Sequence, residues 1–223
     1  MPKALTCLFL PLLLAGCMES AEPTDSTPYN FRWSEAEDLP PESDRTFAPY
    51  EHVGLITPDM AVASIENRYG TDALRSRPVP GPDGDSLPGY VLFLGTADEL
   101  LIVLGADKQP ERVSFTNPRT RWHHEGTNLT IGTELGELRE MNGAPFDFTG
   151  FGWDSAGTVV DWHGGALEDI LVRLTYAPER VAGGGLPDTL LGDRLLYSDS
   201  TSVRDLGIRV REISVPLRDS LPE

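Results

Sequence analysis

The chain has 223 residues, with 18 Lys and Arg against 35 Asp and Glu, and a formal charge of −17. That acidity opposes a nucleic-acid partner and leaves no basic patch for anionic headgroups. Its two cysteines, Cys7 and Cys17, are too few for a disulfide framework.

Lys3 gives the chain a short positive start, and positions 5–14 are an almost uninterrupted apolar run. Ten residues are too few to span a bilayer core of roughly 30 Å, so the segment reads as a signal peptide over 1–16. It ends in Leu14-Ala15-Gly16-Cys17, which resembles the lipobox of bacterial lipoproteins. The resemblance implies lipidation of Cys17: a thioether to diacylglycerol forms on its sulfur, and cleavage then frees its amine for a further acyl chain such as palmitate. At roughly 0.8 kcal/mol per buried methylene, two or three chains form a membrane anchor without any protein span. Met18 stands where lipoproteins retained at an inner membrane carry aspartate, so the expected address is the cell envelope. In a Gram-negative source that is the outer membrane, facing the periplasm.

With Cys7 discarded and Cys17 consumed, the mature chain has no free thiol. Losing Lys3 leaves 17 basic and 35 acidic side chains, 17 minus 35, a formal charge of −18. The stretch 17–50 is acidic and rich in proline, including Pro23, Pro28, Pro40, Pro41 and Pro49; such composition predicts an extended tether. Within it Tyr29, Phe31 and Trp33 alternate, a pattern that also suits an edge strand docked on the domain.

From 51 onward the pattern is that of a packed fold. An ungapped self-alignment matches Ile56 with Leu129, Val62 with Leu135, Ile65 with Leu138 and Gly70 with Gly143. Each segment opens on a threonine-bearing turn, carries apolar residues three apart, and stops at a glycine suited to a left-handed helix end. Strands are predicted over 90–94, 100–104 and 112–115, then 148–153, 158–162 and 170–176. These predict a first repeat over 51–120 and a second over 121–182, each a helix followed by an antiparallel meander, hence an α+β fold. Gly183 to Gly185 read as a hinge opening a last segment, 183–223, with strands near 190–197 and 206–215. Alternation of Leu206, Ile208 and Val210 changes phase at Ile213, which a β-bulge explains.

Turn, short glycine-ended helix and meander together resemble two families. One is the small outer-membrane lipoproteins typified by the E component of the barrel-assembly machinery; the other is the beta-lactamase-inhibitor-protein-like family with its tandem repeats. The matching residues are Ile131-Gly132-Thr133 with Leu135, Leu138 and Gly143, and a looser copy from Thr57 to Gly70, about a third of the chain. The stretch 143–162, centred on Phe146-Asp147-Phe148-Thr149-Gly150-Phe151-Gly152-Trp153-Asp154, also resembles bacterial secreted proteins to which no activity is assigned. Neither likeness carries a catalytic residue.

The aromatic and acidic stretch 142–165 is the strongest candidate interaction surface, formed by Phe146, Phe151, Trp153, Asp154, Asp161 and Trp162. The alternative is an ordinary meander, aromatics inward and aspartates at turns. His123, His124 and His163 with Glu125 have the chemistry of metal ligands, but adjacent histidines on a strand face opposite sides, so no metal is expected. No Gly-x-Ser-x-Gly elbow is present. Asp83-Gly84-Asp85-Ser86 is too short for a calcium loop, and Leu186-Pro187-Asp188 after the triglycine argues against a phosphate cradle. The expectation is a non-enzymatic binding or structural module without a cofactor, whose partner is an envelope protein or glycan. Two alternatives remain: a glycan or peptide hydrolase using Asp147, Asp154 and Asp161, and an inhibitor or immunity protein.

Overall fold

Strands form where apolar residues alternate, and helices over the two glycine-ended segments. A computed structural model describes residues 44–80, 86–181 and 185–219. The lipobox, the 29–33 stretch, Asp83 to Asp85, and Gly183 and Gly184 lie outside the described residues. The chain runs β1 (Thr46–Ala48), β2 (His52–Val53), α1 (Val62–Tyr69), β3 (Leu74–Ser76), β4 (Val79–Pro80), β5 (Ser86–Leu87), β6 (Gly89–Leu92), β7 (Leu100–Leu104) and β8 (Pro110–Phe115). It continues with β9 (His123–His124), α2 (Leu135–Asn142), β10 (Asp147–Thr149), β11 (Val159–Asp161), β12 (Leu171–Thr175), β13 (Leu195–Tyr197) and β14 (Arg209–Pro216).

The fold is α+β and dominated by strands. Six of them form an antiparallel sheet in the order β12-β14-β8-β7-β6-β3, while β10 pairs with both β11 and β13. A bridge between Thr158 and Arg173 carries the hydrogen bonding from β11 towards β12. The last strand thus lies at the centre, with Ile213 opposite Phe115 and the Ser114 and Ser214 hydroxyls 2.7 Å apart across the β8–β14 junction. Against β12, β14 slips register at Arg211, since Arg173 faces Glu212 and Leu174 faces Val210. This is the bulge that the phase change at Ile213 requires.

Several boundaries differ from the sequence reading; the strand predicted near 190–197 is confined to Leu195–Tyr197, behind a 3-10 turn over Asp188–Leu190. The stretch assigned to the tether includes folded structure: β1 carries the buried Phe47, which packs edge-on to Phe115 at 5.6 Å. One apolar residue flanked by Pro49 and acids is invisible to composition, yet a three-residue strand needs no more when it pairs antiparallel with β2 and parallel with β9. The strand predicted over 148–153 ends at Thr149, because the left-handed Gly152 (φ +83°) turns the chain away.

Both helices pack on one face of the sheet, where Ile65 and Leu138 join Leu92, Ile102, Val113, Phe148, Val172 and Ile213 in the main core. In α2 the predicted threonine cap is replaced by a capping box between Glu134 and Glu137, and Gly143 closes the helix at φ +77°. The opposite face differs along its length. Across β6 and β7, Val91 and Val103 are buried beneath Val79, with Leu87 and Leu101 alongside, so the β4–β5 hairpin serves as a cover. Across β11, β12 and β13 Val160, Leu171, Leu195 and Tyr197 remain large exposed apolar residues.

Candidate functional site: the outer face of the second half

Strand alternation builds this site. In β10 Phe148 enters the core, so Asp147 and Thr149 face outward. Asp147 sits opposite Asp161 of β11 on one side and Tyr197 of β13 on the other, and Thr149 opposite Leu195. Counting two residues along the antiparallel register from the Thr158–Arg173 bridge sets Val160 opposite Leu171. The outward apolar side chains are 53% exposed at Val160, 48% at Leu171, 46% at Leu195 and 54% at Tyr197. They surround the two aspartates.

Like charges facing each other across a strand pair destabilise it, and His163 supplies the counter-charge. Its Nε2 lies 3.2 Å from Asp147 and its Nδ1 3.6 Å from Asp161. Its backbone N–H donates to the Asp161 carboxylate at 2.7 Å, an Asx turn that holds the residue left-handed at φ +55°. The hydrogen bond to Asp147 raises the His163 pKa above its ordinary value; desolvation opposes it, and the charges of Asp161, Asp147 and Glu168 add to it. With both ring nitrogens turned to carboxylates, the protonated ring has no lone pair free to act as a base.

Helix α2 holds the turn that carries His163. The Asn142 amide donates to the carbonyls of Trp162 at 2.9 Å and Ala144 at 3.0 Å, and its oxygen accepts from the Leu167 N–H. A Cβ at Gly165 would collide with the Asn142 side chain, so the turn requires glycine there.

The predicted surface residues divide sharply. Phe146, Phe151 and Trp162 are core side chains; Trp162 packs on Phe146 at 4.9 Å and its indole donates to the Ile170 carbonyl at 3.0 Å. They belong inside because the interleaved aromatics pack on one another, Phe146 and Phe151 each against Phe148, within the core that α2 also enters. Trp153 (40% exposed), Asp154 and Asp161 are at the surface. Arg173, on the outward side of β12, hydrogen-bonds the Asp154 carbonyl and pairs with Glu212 at 3.6 Å. Of the hydrolase trio, Asp147 and Asp161 meet at His163, while Asp154 sits in the turn joined to Arg173. Sequence reasoning missed Val160, Leu171, Leu195 and Tyr197, whose signal was only the outward phase of their strands.

The other histidines serve the β1–β9 ladder. His123 Nδ1 lies 2.9 Å from the Arg121 carbonyl; His124 bonds the Thr127 hydroxyl at 2.9 Å and packs against Phe47, where desolvation lowers its pKa. Among the described residues no group of three metal-ligating side chains is poised to hold an ion, and no helix is long and apolar enough to cross a membrane.

The first half contains a second carboxylate cluster of a different kind. Asp98 is buried and receives Arg45 Nε at 3.0 Å, Arg121 Nη2 at 2.6 Å and the Arg121 backbone N–H at 2.9 Å. Burial pushes its carboxyl up, but Arg121 and Arg45 outweigh this and hold it below the usual carboxylate range. Arg45 also lies over the ring of Trp122, whose indole donates to the Asp98 carbonyl at 3.0 Å. This cluster ties the β6–β7 loop to the segments leading into β1 and β9.

Compared with protein-family models, curated proteins and solved structures, the chain returns no significant match.

Proposed function

We propose that the chain is an exported lipoprotein, anchored through Cys17 and acting as a non-enzymatic binding module that docks an envelope protein on the outer face of its second half. One observation carries the docking reading. The outward apolar residues of the first half are covered by the chain's own hairpin, whereas Val160, Leu171, Leu195 and Tyr197 stand at about half exposure. Large apolar side chains left exposed together on one sheet face, here around a polar centre, suit a protein contact. Photo-crosslinkers at Leu171 and Tyr197 should give a discrete adduct in intact envelopes, with none from Leu55 outside the patch; equal yields at all three positions reject the face. For the anchor, Cys17→Ser should leave the precursor uncleaved and the protein without lipid by mass spectrometry; normal processing would reject lipidation.

The inhibitor reading has support of its own. Helices α1 and α2, and strands β3 and β10, begin and end 73 positions apart in the chain, the offset of the ungapped alignment. Each half then continues through further antiparallel strands, and β8 and β14 meet at the Ser114–Ser214 contact. We read the halves as divergent repeats, similar in plan to the tandem repeats of the beta-lactamase-inhibitor-protein-like family. A purified enzyme that loses activity on stoichiometric addition of this protein would select that reading. The hydrolase reading draws less support, because Asp147 and Asp161 share one histidine on a sheet face and not a cleft.

A further inference from the structure

The docking face has a charged centre as well as an apolar rim, and the centre narrows the kind of partner it fits. Asp147 and Asp161 face each other across two strands, and the side chain between them, His163, is a cation only while its imidazole is protonated. Around them stand Val160, Leu171, Leu195 and Tyr197. Arg173, the cation one strand away, is already engaged by Glu212 and the Asp154 carbonyl. We propose that the partner is a protein that presents a lysine or arginine flanked by apolar residues, and that this side chain enters between Asp147 and Asp161 in exchange for His163.

The inference rests on the docking face proposed above. Its physical basis is charge complementarity. A chain of formal charge −17 favours encounter with a basic surface. Asp147 is itself buried at the centre of the face, so a cation on the pair is worth more than the same contact in open water. Arginine spans two carboxylates in a planar fork and lysine reaches the same place on an apolar stem. His163, by contrast, stands on an exposed turn at one edge, held by its backbone bond to Asp161, and its ring can swing out without disturbing the strands.

The exchange has a pH sign. The groups facing His163 are Asp147 from β10, Asp161 from β11, Glu168 from the following turn and, opposite Asp147, Tyr197 from β13. Below the His163 pKa the imidazolium neutralises one carboxylate and obstructs entry. Above it the pair carries two uncompensated charges, so entry of an external cation coincides with loss of the histidine proton. Binding therefore strengthens as pH rises.

The full-length chain, isotopically labelled, would be titrated with acetyl-Gly-Leu-Lys-Leu-Gly-amide and with the same peptide carrying Gln for Lys, at pH 5.5 and pH 8. The Lys peptide is expected to shift the Asp161, His163 and Leu171 signals and to bind at least about five-fold tighter at pH 8. The Gln peptide should bind more weakly and equally at both values. His163→Gln should remove the pH dependence while keeping the preference for Lys, and Asp161→Asn should remove that preference in a chain whose spectrum remains folded. Equal affinity for the two peptides, or unchanged pH dependence in His163→Gln, overturns the exchange. Crosslinking from Leu171 and Tyr197 is read separately, so an adduct without a preference for cations rejects this inference and leaves the docking face standing.

Discussion

The two halves of the sheet carry similar apolar residues on their outer faces and treat them in opposite ways. In the first half the β4–β5 hairpin lays Val79 over Val91 and Val103, and the buried Asp98 is clasped by guanidinium groups that stay charged at any physiological pH. In the second half the apolar row is open, and its carboxylates are bridged by an imidazole that titrates. One half is covered by its own hairpin, with its buried Asp98 paired internally to two arginines. The other is built from the same kinds of element but leaves a surface and a charge to be completed from outside.

Asp98→Asn is expected to test this contrast most severely. It leaves the buried Arg45 without its carboxylate and should cost about 3–5 kcal/mol in urea unfolding, whereas Asp161→Asn should stay within about 0.5 kcal/mol. Equal losses would erase the distinction between closed and open clusters. The two tryptophans give a comparison of similar size. Trp162→Ala should lose about 3–5 kcal/mol and Trp153→Ala about 1 kcal/mol or less, since the first fills the core and the second is 40% exposed.

Smaller effects sharpen the contrast between covered and open faces. Val79→Ala thins the hairpin cover and should cost about 1–2 kcal/mol with increased dye binding to apolar surface, while Leu171→Ser should leave the melting temperature almost unchanged and reduce that binding. The smallest effect is the pH response. His163 has a raised folded-state pKa, so its contribution is fully present below the unfolded value and fades as pH rises through the folded one. Asp98 is depressed, so its contribution is present above the unfolded carboxylate value and is lost only as pH falls through the folded one. Nearer neutrality the imidazoles respond, with opposite signs: His163 stabilises as pH falls, whereas the desolvated His124 on the β1–β9 ladder loses stability as pH falls through the ordinary histidine value. Imidazole titration by NMR should show Asp147→Asn returning His163 toward the ordinary histidine value; no change would remove Asp147 as the cause.

Much of the second half was legible in sequence, and for particular reasons. The Leu135, Leu138 and Gly143 spacing predicted α2, and the break between Val210 and Ile213 predicted the bulge at Arg211. Both signals are local. The short strands β1, β2 and β9 gave no periodic signal, because two or three residues do not make a period. The aromatic stretch was read as a surface because alternation tells that neighbours face opposite ways without telling which way is in. Phe146 and Trp162 went inside, into the core that Leu135 and Leu138 of α2 also enter, and the Asp147–Asp161–His163 cluster exists because β10 pairs with β11, which sets Asp147 opposite a residue fourteen positions further on.

By itself the sequence carried the export and anchoring reading, the helix positions and the α+β class, all of which depend on residues close together in the chain. Tertiary structure alone decided which half keeps an open face. That choice depends on whether a distant hairpin happens to cover it, and on which carboxylates a strand pairing sets opposite one another. Local propensity can place a strand; only the completed packing determines which of its two faces meets solvent.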